Sequence, residues 1–164
     1  MQTSPNVVNG VYKNAEHGLQ VKLAPRWGDG ESSLPGSIAL FYPPDDKPGT
    51  LNLFYRDAAG KDADAVIADL QKEIGDHDAN AKIEPTNDAK LGGKPARTFT
   101  YRSKRADGER SGLMLVGVHE GKAYVFMYSA PPAEYDTDIA AVKRMIDSLR
   151  WTAQGNKPVP RAAR

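Results

Sequence analysis

Residues 91–151, LGGKPARTFTYRSKRADGERSGLMLVGVHEGKAYVFMYSAPPAEYDTDIAAVKRMIDSLRW, decide the fold. Ala96 to Lys104, Gly112 to His119 and Ala123 to Ser129 have the length and the aromatic or β-branched content of strands. Glu120-Gly121 leaves only a two-residue connection between the last two of them, the length of a tight antiparallel hairpin. Gly92-Gly93 makes the turn that leads into the first. Pro131-Pro132 then breaks the sheet and starts a helix, because a first helical turn has no use for the N–H that proline lacks. Ile139, Val142, Ile146 and Leu149 fall on one stripe of that helix, with Lys143, Arg144 and Asp147 opposite, and Trp151 follows the stripe. The segment therefore reads as an antiparallel sheet with a helix packed across it.

Outward from this segment the same two periods recur. Val11-Tyr12-Lys13 and the alternating Leu19, Val21 and Leu23 read as two short strands joined across Glu16-His17-Gly18. Pro25 and the glycines through Gly30 end them, and Trp27 in that loop reads as a core plug. Ile38 to Tyr42 and Leu51 to Arg56 are apolar on both alternating sets, the pattern of central strands covered on both faces, so helices are expected on two sides. A first helix is expected over 62–75: Asp62 or Asp64 can cap it, Val66, Ile67, Leu70 and Ile74 form its buried face, and Gly75 is its stop. Ile83 to Leu91 is a weaker strand interrupted at Pro85, at an edge or broken by a bulge. The expected organisation is a flexible N-terminus over 1–9, one domain over 10–151 and a disordered basic tail over 152–164. The fold class is α+β, a central antiparallel sheet sandwiched between helices.

Composition sets the outer limits. A chain of 164 residues is long enough for one well-buried core. Its 22 Lys and Arg against 21 Asp and Glu give a net charge of +1, which offers no pull on nucleic acid. It has no cysteine, which removes disulfides, thiolate metal sites and a cysteine nucleophile while leaving the compartment open. No apolar run approaches the roughly 20 residues that span a bilayer.

The hairpin near the N-terminus, the helix ending near Gly75, the Leu-Gly-Gly-Lys-Pro-Ala-Arg-Thr-Phe-Thr-Tyr run at 91–101, the hairpin ending Ala-Tyr-Val-Phe-Met-Tyr-Ser-Ala at 123–130 and the closing Ile-Asp-Ser-Leu-Arg-Trp at 146–151 resemble the PsbP-like superfamily. That group takes in PsbP, the Ran-binding Mog proteins, the DcrB-type bacterial proteins and many small lipoproteins. The resemblance implies an α-β-α sandwich and members that act as binding or assembly modules, one branch being chaperones for secreted toxins. It carries over no functional residue, because the shared motifs are turns and strand ends.

The residues that bear chemistry do not converge into a recognisable motif. His17, His77 and His119 lack the i, i+4 spacing of a zinc helix and read as solvated loop histidines, although His119 beside Glu120 could form a pH-sensing pair. Asp45-Asp46 lies in a Pro-rich turn, while Asp62/Asp64 and Asp136/Asp138 are placed to complement helix N-termini. No serine sits in a Gly-x-Ser-x-Gly elbow. Gly28-Asp29-Gly30 and Gly92-Gly93 read as turns, since neither opens directly onto a helix whose free N–H groups would face a phosphate. The expectation is a protein that is not an enzyme and has no metal and no cofactor.

Two charged features remain as candidates. Arg97 alternates with Phe99 and Tyr101, so its guanidinium is expected to be partly buried in a sheet-to-helix ion pair or on an aromatic ring; the functional alternative is an anion site beside Gly92-Gly93. Arg102, Lys104, Arg105 and Arg110 crowd one hairpin tip, where they either protect a sheet edge or dock an acidic partner or a membrane headgroup. Tyr124, Phe126 and Tyr128 read as core, with an exposed peptide-binding row as the alternative. The sequence thus points to a bacterial binding or assembly domain with a protein partner and no nucleic acid. It is expected in the periplasm or anchored extracytoplasmically through a leader absent from this chain. The alternatives are a cytoplasmic chaperone that shields a hydrophobic segment of a secreted effector, and a small-ligand binder.

Overall fold

The computed structural model describes residues 6–32, 34–106 and 108–152; all but Thr152 of the tail expected over 152–164, and residues 1–5 of the N-terminus expected over 1–9, lie outside the described residues. A small sheet is formed by β1 (Val7–Val8), β2 (Val11–Asn14), β3 (Leu19–Lys22) and β12 (Arg150–Trp151), in that order across it. The main sheet is built from β4 (Gly28–Gly30), β5 (Ser37–Tyr42), β6 (Thr50–Asp57), β11 (Lys122–Ala130), β10 (Gly108–His119) and β9 (Lys94–Arg105), again in spatial order. Along the outer side of β9 run β7 (Lys82–Ile83) and β8 (Asn87–Leu91), separated at Pro85, which cannot donate to a ladder. Every pairing is antiparallel. The two helices are α1 (Ala63–His77) and α2 (Pro132–Asp147).

Because side chains alternate along a strand, the register assigns each residue to a face. The row Leu53, Phe126, Leu115 faces α2 and the small sheet; the row Phe54, Val125, Val116 faces α1. On the α2 side twenty-one buried residues, among them Phe41, Phe126, Tyr128, Val142 and Ile146, form one cluster with Tyr12, Leu19 and Val21 of the small sheet. On the α1 side the cluster holds eleven, including Val66, Ile67, Leu70, Phe99 and Met114. Each large side chain taken fully out of water contributes roughly 1.5–3 kcal/mol, so the two layers are unequal in strength.

The strands of 91–151 form as the periodicity predicts, and the turn at Glu120-Gly121 has φ of 52° and 79°, the pair of left-handed conformations that matches strand twist. Tyr124, Phe126 and Tyr128 are all buried, so the exposed aromatic row does not form. Three other expectations need correction. Helix α1 does not stop at Gly75 but runs to His77, where the Asp78 N–H bonds the Ile74 carbonyl. Gly28–Gly30 is an edge strand, not a turn. Strand β5 lies next to that edge and is buried only through Ala39 and Phe41, with Tyr42 exposed; β6 alone of the pair is central. Trp27 is buried in its loop as expected.

Candidate functional site

Helix α1 does not cover its whole face of the sheet. Beside its C-terminal half a groove of about 740 Å³ opens, floored by Phe54, Met114 and Met127, walled by Leu70 and Ile74 on α1, and bounded across the gap by Leu34 and Pro35. Leu34 is one of few large apolar side chains in strong contact with water, 41% exposed. Its far end is closed by Tyr101, whose ring lies across Gly112: a Cβ there would stand 2.2 Å from the Tyr101 ring carbon. The groove combines an apolar floor containing two methionines, which adapt their shape to what they touch, with a rim of charged groups.

The rim charges are not equivalent. Glu73 is held by a two-pronged pair with Arg56, at 2.9 and 3.3 Å. Asp78 accepts the Lys104 N–H at 2.8 Å and the Asn80 N–H at 2.9 Å, and these bonds, Lys104 first, hold its carboxyl below the ordinary range. Lys104 and Arg105, at the hairpin-tip end of the groove, make no ion pair among the described residues. Of the tip cations singled out in the sequence, these two line the groove. Arg102 points by alternation to the α2 side, opposite Lys82 of β7 and Ser111 of β10. Arg110 is half-buried at the sheet end, where its charge lowers the pKa values of both Tyr101 and Tyr128 against the burial that raises them. On its outer side β9 is paired by β7 at Tyr101 and Arg102 and by β8 from Lys94 to Thr98, and Lys104 and Arg105 lie beyond that pairing.

No family model and no curated protein sequence matches the chain. Solved structures do. Cyanobacterial PsbP (CyanoP) from Synechocystis sp. PCC 6803 superposes with a TM-score of 0.68 at 16% identity, covering 92% of this chain and 98% of its own. The fold is PsbP-like. LpqN of Mycobacterium tuberculosis, described as involved in cell envelope biogenesis, shares it at a TM-score of 0.59 and 18% identity, with 82% of this chain and 83% of that one covered. The Ran-binding protein Mog1p of Saccharomyces cerevisiae shares it at 0.57 and 8% identity, over 84% and 92% of the two chains. These identities carry the PsbP-like architecture and no residue-level function.

In this PsbP-like domain Arg97 sits between helix and sheet. Its Nε donates to Asp64 of α1 at 2.8 Å, Nη1 is paired with Asp88 of β8, and Nη2 donates to Thr86 at 3.0 Å. The Asp64 bond is the first cause of the raised pKa of the guanidinium. The adjoining cleft, about 690 Å³, also includes Asp62, so three carboxylates stand where an incoming anion would have to bind.

The histidines depart most from expectation. His17 and His119 are half-buried: both lie against Tyr124, each with ring centroids 6.3 Å away, and His17 packs at 4.8 Å on Tyr55. His119 stacks on Trp151 at 3.8 Å with planes 6° apart, its Nδ1 is 2.8 Å from Lys94 Nζ, and its Nε2 is 3.7 Å from Glu120. Burial, more than any neighbour, pushes both imidazole pKa values down. Asp138 also differs from expectation, lying in the second turn of α2, buried, and 3.6 Å from Lys47. Among the described residues no three His, Asp or Glu side chains gather as metal ligands, and no helix is long and apolar enough to cross a membrane.

Proposed function

We propose that this domain is a non-catalytic binding module that docks a segment of a protein partner in the groove beside α1, and that it works in the bacterial cell envelope. The observation that carries the reading is the pairing of an apolar, methionine-containing floor with Lys104 and Arg105, rim cations whose side chains make no ion pair among the described residues. Such a site fits a segment with apolar side chains flanked by acidic ones: the floor supplies contact area, and the cations steer and orient. The envelope assignment draws on the description of LpqN, and the partner-binding assignment on that of Mog1p as Ran-binding, each a property of that protein. The cytoplasmic chaperone reading uses the same groove and differs in compartment.

The test is capture from the native host with the purified chain as bait. A specific protein should be retained by the wild type, lost from a folded Lys104→Glu/Arg105→Glu variant, and released as ionic strength rises, because surface charge pairs are screened within about 10 Å at 0.1 M salt. Equal retention by wild type and variant removes the reading. Fractionation of the host decides between periplasm and cytoplasm.

A further inference from the structure

On the face of the sheet opposite the groove, α2 reaches β10 but not β9. Val142 and Ile146 share the core with Leu113 and Leu115 of β10, whereas the residues beside those leucines on β9, Thr100 and Thr98, are too short to meet the helix. A cleft of about 270 Å³ is left between α2 and β8, beside the interruption of the outer edge at Pro85. Its floor is apolar, with Leu113, Leu115 and Ile146 all buried.

The mouth of the cleft carries one charge of each sign. Lys143 and Asp147 lie one helical turn apart, on the side of α2 that also presents Ile146. At that spacing a lysine and an aspartate can pair along the helix, as Lys72 and Asp76 do on α1 at 3.1 Å. Lys143 and Asp147 do not: neither side chain makes an ion pair or hydrogen bond among the described residues. Asp147 is moreover the last residue of α2, where the helix dipole disfavours a carboxylate, so it does not serve the helix. Across the cleft Thr98 spends its hydroxyl proton on the Met114 carbonyl at 2.7 Å, while the Thr100 hydroxyl makes no hydrogen bond among the described residues and Asn87 Nδ2 reaches only the Pro85 carbonyl at 3.5 Å.

This combination selects a ligand. One charge of each sign gives no net pull on an ion of a single sign, and the cleft is smaller than the roughly 300–1,000 Å³ of sites for drug-sized molecules. The middle of a peptide chain carries neither charge. We propose that the cleft binds a small zwitterion with an apolar side chain, the chemistry of a free branched-chain amino acid. Lys143 takes its carboxylate and Asp147 its ammonium, Thr100 and Asn87 offer further hydrogen bonds, and the side chain lies on Leu113, Leu115 and Ile146. The site is separate from the groove and does not depend on it.

Titration of the full chain with L-leucine, followed by amide NMR shifts, tests it. A dissociation constant of about 1 mM or tighter is expected, with the amides of Thr98, Thr100 and Lys143 to Asp147 moving and those of Phe54 and Met127 in the groove unmoved. Three analogues separate the contacts: isocaproate lacks the ammonium, isoamylamine lacks the carboxylate and glycine lacks the side chain. Each should bind at least about fivefold more weakly than L-leucine. Lys143→Met and Asp147→Asn alter exposed positions and leave the core intact. In Lys143→Met, L-leucine should bind no better than isoamylamine does, and in Asp147→Asn no better than isocaproate. No shift at about 10 mM L-leucine, a singly charged analogue that binds as tightly as L-leucine, or full affinity in both variants would overturn the proposal.

Discussion

Gly92 adopts a φ of +59°, and a Cβ added to it would stand 2.3 Å from the indole nitrogen of Trp151. Its neighbour Gly93 has a φ of +81° with nothing within 4 Å. The two glycines of one turn thus answer different demands, and a pair of alanine substitutions separates them. Gly93→Ala carries only the left-handed penalty, about 1–2 kcal/mol. Gly92→Ala adds the displacement of Trp151, for about 2–4 kcal/mol in all, read as a lower urea midpoint at constant slope. Equal midpoints for the two would show that Trp151 yields freely. The turn itself was legible, since Gly-Gly before a strand has few other uses; its contact with Trp151, about sixty residues away in sequence, had no local signature. Arg97 lies between these cases. Alternation with Phe99 and Tyr101 put it on the α1 face, and burial of a guanidinium demands a partner, but nothing in the sequence chose Asp64 and Asp88 from the many available acids.

Helix α1 shows where sequence signals for an element compete. Asp62 accepts the Ala65 N–H at 2.9 Å and caps the start, as one of the two aspartates was expected to do. Replacing Asp62 by alanine orphans that donor and should cost about 1 kcal/mol, or about 2–4 °C in Tm for a chain of this size, measured by calorimetry. A loss below a few tenths of a kcal/mol would mean that water replaces the cap. At the other end Gly75 looked like the stop, but Asp78 overrides it: its N–H closes the last turn and its carboxylate gathers two amides, one from β9. A cap built through a tertiary contact leaves no trace in the local pattern. The strands were easier to read because burial on one or both faces imposes its period directly, as in Ala123 to Ser129. Even there β5 misled: its register shifts between Ser37 and Ala39, so Ile38 packs against the α2-side core with Ala39 and Phe41, while Leu40 is only half-buried and Tyr42 exposed.

The two faces of the main sheet carry very unequal layers, twenty-one buried residues with α2 and eleven with α1. Elements in the thinner layer should open at lower free energy, so the α1 amides are expected to exchange well before those of α2 under native conditions, as hydrogen exchange with mass spectrometry can measure. Equal protection of the two helices would contradict this. The groove follows from the same imbalance, and it was not legible: Leu34, Phe54, Ile74 and Lys104 come from a loop, a strand, a helix and a hairpin tip, and only the completed topology brings them together. The charge at the tip was visible in the sequence, but its division between the two faces was not. The small sheet has a practical consequence. Strands β1 and β12 are its outer members, about 14 Å apart, and it packs on the α2 side with Tyr12, Leu19 and Val21 in that core. Both ends of the described chain thus emerge on the side of the molecule turned away from the groove. A surface immobilisation through the small sheet itself presents the groove outward.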